Sequence, residues 1–276
     1  MAARRFCPLG IDCHPVAGSH EKIGLRATEV NYLARSESLP SPPDAPPLQR
    51  NEDHLWQFPL EVSEYEKFAD LLSEDERQRA SRFHFEVDRR RFSVARASVR
   101  AILGSYSSTD PRELAFTYSA QGKPSLDKKT DDIRFNVSHS GGLGLLAVTL
   151  AREIGADIEA MRPDVETDKL AQRFFSPHER ETLCALPARE RVSAFYRCWT
   201  SKEAFLKGDG VGLSRSLSSF DVEVNPQRPA SLLATRPDER EKERWYLHDI
   251  NTDAGYAAAV AVEGVSSVIR VFRCRE

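Results

Sequence analysis

The order of strand-like and helix-like patterns runs through the chain twice, and that repetition limits the possible fold more than any other feature. In the first pass, His54 to Phe58 reads as a strand on its aromatic content, with Leu55 facing away from Trp56 and Phe58 off the Trp56 face. Ser73 followed by Glu76 makes a capping box, which predicts a helix from about residue 74. Phe92, Ala95, Val99, Ile102 and Leu103 then form one apolar stripe at three- and four-residue spacing, with Gly104 as the predicted stop. Ile133 to Val137 and Leu143 to Leu150 are β-rich, and Ser138-His139-Ser140-Gly141-Gly142 between them reads as hairpin punctuation.

From Ile154 the outline recurs: a short strand, helical patterns over 166–186 and 188–207, then strands near 219–224, 245–250 and 256–263. The closing pair flanks Asn251-Thr252-Asp253-Ala254-Gly255 and echoes the earlier hairpin. An α+β fold is predicted, a pseudo-twofold pair of similar α/β subdomains over 53–152 and 153–276, facing one another across a cleft. Residues 1–52 lack sustained periodicity and carry a Pro-rich run from Ser38 to Pro47, so they are predicted to form a weakly ordered leader.

A formal net charge of −3 over 276 residues gives no global pull toward nucleic acid or an anionic membrane. Any anionic ligand must therefore meet a local basic cluster. The cysteines number 5, Cys7, Cys13, Cys184, Cys198 and Cys274, and show no metal-ligand spacing, which points to free thiols in a reducing cytoplasm. No run approaches the ~20 apolar residues that span a bilayer. Met1 to Gly10 has no apolar stretch of the secretory kind, so a soluble, unsecreted protein is expected.

In Ile154-Gly155-Ala156-Asp157-Ile158-Glu159, apolar residues alternate with Gly155, Asp157 and Glu159, as on a strand with one buried face. The two carboxylates then point the same way, about 7 Å apart, and suit a hard cation. Gly155 beside them is expected to leave room for a bulky anion. The alternative is a solvated strand face. On the predicted helix Trp199 to Lys207, Glu203 and Lys207 are four apart and share a face, either as a surface pair or as part of the same site.

Arg77 to Arg100 carries eight arginines against two acids. Arginine forks suit phosphate oxygens, and Gly122-Lys123-Pro124 with Ser138-His139 adds further donors. Arg89, Arg90 and Arg91 are consecutive, so at least one of them faces solvent.

Taken together, Phe135-Asn136-Val137-Ser138-His139-Ser140-Gly141, Ile154 to Glu159, Arg173-Phe174-Phe175-Ser176-Pro177, Trp199 to Lys207 and Gly210-Val211-Gly212-Leu213 occur in an order that resembles the Sfp-type 4′-phosphopantetheinyl transferases. The resemblance runs from about residue 54 to 262. It implies a monomer of two α+β halves with coenzyme A at the seam, Mg²⁺ held by Asp157, Glu159 and Glu203, and an apo acyl or peptidyl carrier protein as partner. It further implies that Lys123, Ser138 and His139 contact the coenzyme A phosphates, that Arg79 and Arg91 serve the 3′-phosphate end, and that Asp157 and Lys207 also face the coenzyme. Glu203 and Lys207 become the catalytic pair, as base for the carrier serine and as cation for the leaving phosphate. The leader, and Gln121 where an aromatic residue is common, depart from the family pattern and leave the acids untouched.

Three alternatives stay in view: a catalytically inactive module that binds coenzyme A or a carrier, a Mg²⁺-dependent nucleotide phosphohydrolase, and a nucleic-acid binder using the arginine-rich helix. The acidic balance elsewhere disfavours the last. The inactive module would need a missing acid or a broken lysine pattern, and neither is present.

Overall fold

The computed structural model describes residues 29–30, 45–127, 132–264 and 267–274. The first half runs through β1 (Glu29–Val30), β2 (Glu52–Pro59), α1 (Tyr65–Ala69), α2 (Glu74–Ala80), α3 (Glu86–Ser107), β3 (Phe116–Tyr118), β4 (Pro124–Leu126), β5 (Ile133–Ser140) and β6 (Leu143–Leu150). The second runs through β7 (Ile154–Ala160), α4 (Thr167–Phe174), α5 (Pro177–Ala185), α6 (Ala188–Asp209), β8 (Phe220–Val222), β9 (Leu232–Thr235), β10 (Trp245–Asp249) and β11 (Tyr256–Glu263). A last strand, β12 (Val268–Arg273), follows.

The larger sheet has the order β1-β12-β2-β6-β5 and the second main sheet the order β10-β11-β7. Each sheet lays one face on its own long helix. Trp56, Phe58, Leu146 and Val148 pack with Val94, Val99, Ile102 and Leu103 of α3. Leu247, Ala259 and Ala261 pack with Phe195, Trp199 and Phe205 of α6. The opposite faces meet: Leu55, Leu145 and Ala147 from the first sheet join Ile154, Ala156, Ile158, Val260 and Val262 from the second. Fully burying one large apolar side chain contributes about 1.5–3 kcal/mol, so the first two clusters hold each half together and the third binds the halves to one another.

Several expectations change. Trp56 and Phe58 lie on the same face, as residues two apart on a strand must, and only Leu55 turns to the seam. Gly104 does not stop α3, which runs on to Ser107 and ends where Ser108 adopts a left-handed backbone at φ 51°. Gly104 is small for another reason: a Cβ there would sit 2.8 Å from the Thr109 carbonyl oxygen. The helical pattern over 166–186 splits into α4 and α5 around Ser176-Pro177, because the residue before proline is driven from helical geometry.

β12 pairs in parallel with β2, with Phe272 opposite Trp56, so it belongs by hydrogen bonding to the first half rather than to the division 153–276. The expected leader is not wholly apart from the core. Ala45 and Leu48 pack on the first hydrophobic cluster, and Glu29 and Val30 pair with Arg270 and Val271. Residues 1–28 and 31–44 of the leader lie outside the described residues.

Candidate active site

The site is built where the edge strand of one sheet meets the edge strand of the other. β5 and β7 lie side by side without a backbone ladder between them. The β5–β6 register opposes Ser140 to Leu143, so the expected five-residue punctuation shrinks to a Gly141-Gly142 turn, and Ser138, His139 and Ser140 belong to the strand. Period-two alternation then sends Asn136, Ser138 and Ser140 to one side. Asn136 Oδ1 accepts from the Ala156 N–H at 3.0 Å, Ser138 Oγ donates to Asp157 Oδ1 at 2.8 Å, and Ser140 Oγ donates to Glu159 Oε2 at 2.7 Å.

Asp157 and Glu159 share a face, as the alternation predicts, but they are not a solvated strand face: both are buried. Helix α6 closes over them. A Cβ on Gly155 would come within 2.0 Å of the Ala204 carbonyl oxygen, so this glycine admits the helix backbone and not a bulky ligand. The close approach delivers Lys207, whose Nζ donates to Asp157 Oδ1 at 2.5 Å and to Ser138 Oγ at 2.9 Å. Burial works against the lysine's charge, yet Asp157 and Glu203 outweigh it and hold its pKa above the ordinary value.

Glu203, one turn earlier on α6, has its Oε1 shut from solvent with no hydrogen-bond partner. Burial first, and the Asp157 charge second, push its pKa up to about 7, with Lys207 pulling the other way. A carboxyl poised near neutrality can take up and release a proton at working pH.

The site offers only hard oxygen donors to a cation, and Asp157 Oδ2 is a second buried oxygen with no hydrogen-bond partner. Among the described residues no three acids, histidines or cysteines already converge as a closed cage. Mg²⁺ usually binds through one or two carboxylates plus substrate phosphates and water, so this open donor set fits it.

The other predicted residues are placed unevenly. Lys123 reaches the end of α6, donating to the Gly208 carbonyl at 3.0 Å and pairing with Glu153. His139 alternates to the other side of β5 and is exposed. Arg91 pairs with Glu61, whose carboxylate lies close to Gly142 in the β5–β6 turn, and the Arg79 guanidinium sits over the Phe92 ring at 5.2 Å. Arg96 and Arg100 leave the basic cluster altogether, because both are turned onto buried Glu76.

Sequence reasoning missed Asn136 and Ser140, although both alternate with Ser138. It also missed Tyr256, whose hydroxyl accepts the Gly142 N–H at 3.0 Å and pins the turn of one half to the other. A second Ser-x-x-Glu, Ser176 to Glu179, was there to be read.

Comparison with known proteins shows the family. Residues 153–261 match the 4′-phosphopantetheinyl transferase superfamily, and residues 56–151 match the N-terminal part of 4′-phosphopantetheinyl transferases. The 4′-phosphopantetheinyl transferase HetI of Nostoc sp. is 40% identical over 230 residues, covering 82% of this chain and 93% of HetI. The 4′-phosphopantetheinyl transferase Sfp of Bacillus subtilis is 32% identical over 202 residues, covering 73% and 87%. The solved structure of Helicobacter pylori holo-[acyl-carrier-protein] synthase in complex with coenzyme A aligns over 40% of this chain and 99% of that one, at 25% identity and a TM-score of 0.32. The chain belongs to the 4′-phosphopantetheinyl transferase family of the Sfp type, and it is an enzyme. Among the described residues no helix is long and apolar enough to cross a membrane.

Proposed function

We propose that this enzyme transfers the 4′-phosphopantetheine arm of coenzyme A to a serine of an apo acyl or peptidyl carrier protein, using Mg²⁺ and releasing adenosine 3′,5′-bisphosphate. The observation that carries the chemical half is Glu203, a largely buried carboxyl with its pKa at about 7 and an unpartnered oxygen, beside Asp157 and Lys207.

In the reaction the serine Oγ forms a bond to the phosphorus carrying pantetheine, and the pyrophosphate P–O bond to the adenosine side breaks. Glu203 takes the serine proton, directly or through a water. Lys207, fixed between Ser138 and Asp157, stabilises the charge that collects on the departing phosphate. Ser138, Lys123 and His139 hold the phosphates, and Arg79 and Arg91 serve the 3′-phosphate end. Asp157, Glu159 and Glu203 would hold the metal, which when bound neutralises pyrophosphate charge and orients the group in transfer.

The two halves meet at the site within one chain, which supports a monomer as the working unit. The cysteine pattern supports a reducing cytoplasm. Intact-mass measurement of a panel of apo carrier proteins, incubated with the enzyme, coenzyme A and Mg²⁺, tests the proposal. A gain of one phosphopantetheine on a carrier is expected. Coenzyme A binding with no gain on any carrier would favour an inactive binding module.

A further inference from the structure

The seam between β5 and β7 holds two polar side chains that the proposed chemistry leaves without a role. Edge strands ordinarily pair backbone to backbone or are shielded. Here Asn136 and Ser140 supply the missing acceptors, taking the Ala156 N–H at 3.0 Å and the Ala160 N–H at 3.1 Å. The two contacts are spaced four residues apart on both strands, so they act as a side-chain ladder that keeps the strands a side chain's length apart.

Ser140 does more than close the seam. A hydroxyl has one hydrogen to donate, and here it goes to Glu159 Oε2 at 2.7 Å while the oxygen accepts from the residue after Glu159. Both bonds together fix where the carboxylate stands relative to its own strand. We propose that Ser140 is a positioning residue that orients Glu159 for metal binding, and that Asn136 and Ser140 together carry the spacing of the two halves into the site. This rests on Glu159 being a metal ligand. Side chains that orient a ligating group typically set metal affinity by about 10–100-fold.

The test measures binding of Mn²⁺, as a spectroscopic substitute for Mg²⁺, to the full chain with coenzyme A present. Ser140→Ala is expected to weaken Mn²⁺ binding about 10–100-fold. The isosteric pair Ser140→Thr and Ser140→Val separates hydroxyl from bulk: threonine should restore most of the affinity, and valine should behave as alanine. In a Glu159→Ala background, Ser140→Ala should have no further effect, because the two act through one bond. Equal Mn²⁺ affinity in the threonine and valine variants would overturn the inference while leaving Glu159 as a ligand. Unchanged affinity in Glu159→Ala alone would overturn the ligand assignment beneath it.

Discussion

The two halves hold their long helices in the same way and use them for different ends. Helices α3 and α6 are each 22 residues long. In the first half the capping-box glutamate of α2, Glu76, accepts from the Ser73 N–H and from Arg100 on α3. In the second, the capping-box glutamate of α5, Glu179, accepts from the Ser176 N–H and pairs with Lys202 on α6. Arg100 and Lys202 stand at the same position counted from the starts of their helices, Glu86 and Ala188. One and five residues further on, the first half has Ala101 and Ser105 where the second has Glu203 and Lys207. The strand faces differ likewise: Trp56 and Phe58 fill the space under α3, while Gly155, Asp157 and Glu159 lie under α6. The clamp is common scaffold, and the chemistry occupies positions that the other half gives to core at Trp56, Phe58 and Ala101 and to a half-buried serine at Ser105.

The largest effects are expected from changing the second half's departures. Glu203→Gln should lower kcat by about 10²–10⁴ at saturating Mg²⁺, the usual cost of losing a general base. Lys207→Ala should lower it as well, whereas Ser105→Ala at the matching site of α3 should leave carrier loading unchanged. Steady-state loading assays decide the matter, and an equal loss in Ser105→Ala would end the claim that only one half reacts.

The clamps should respond unequally to breaking. Lys202→Met leaves buried Glu179 with no cation and should destabilise the protein by about 3–5 kcal/mol in denaturant melts, whereas Arg100→Met leaves Arg96 on Glu76 and should cost less. The two glutamates should also differ with pH. Burial raises both, but Arg96 and Arg100 together pull Glu76 below 4.5, while Lys202 and the backbone donors leave Glu179 above 4.5. Glu76 therefore adds stability above that value and loses it as the pH falls through its lowered pKa. Glu179 withdraws stability as the pH rises past 4.5.

A third measurement follows from Glu203, whose pKa rises from 4.5 to about 7 on folding. A raised carboxyl favours the folded state least when ionised, so metal-free protein should lose stability between pH 4.5 and about 7, by at most on the order of 3 kcal/mol. Glu203→Gln should flatten that slope in melts across this range. The smallest effect belongs to the exposed side of the first half. Glu61→Gln breaks a partly exposed pair with Arg91 and should cost less than about 1 kcal/mol. A larger cost would mean that the β5–β6 turn depends on that pair.

Local chemistry made much of this legible. The Ser73 and Glu76 cap, the alternation that aligns Asp157 with Glu159, and the four-residue spacing of Glu203 and Lys207 all act over a few residues and appear in the structure as expected. What stayed hidden depends on distant partners. Composition makes Arg96 and Arg100 look like phosphate ligands, and only tertiary packing turns them onto Glu76. Gly155 reads as space for a ligand because nothing in the sequence reveals how close α6 passes. The parallel pairing of β12 with β2 had no signal, since strands so far apart share no turn to set their register.

That pairing bears on how the protein is made. Glu52 of β2 meets Arg270 of β12 across 218 residues of chain. On the ribosome, β2 can gain β6 soon after the first half emerges, but its other edge waits for nearly the whole polypeptide. Until then it presents open N–H and C=O groups beside Leu55, the arrangement most prone to pairing with a stranger. The nascent first half thus stays exposed to misassembly while the whole second half is made, and a chain truncated just before Val268 carries every residue of the proposed site on an unfinished sheet.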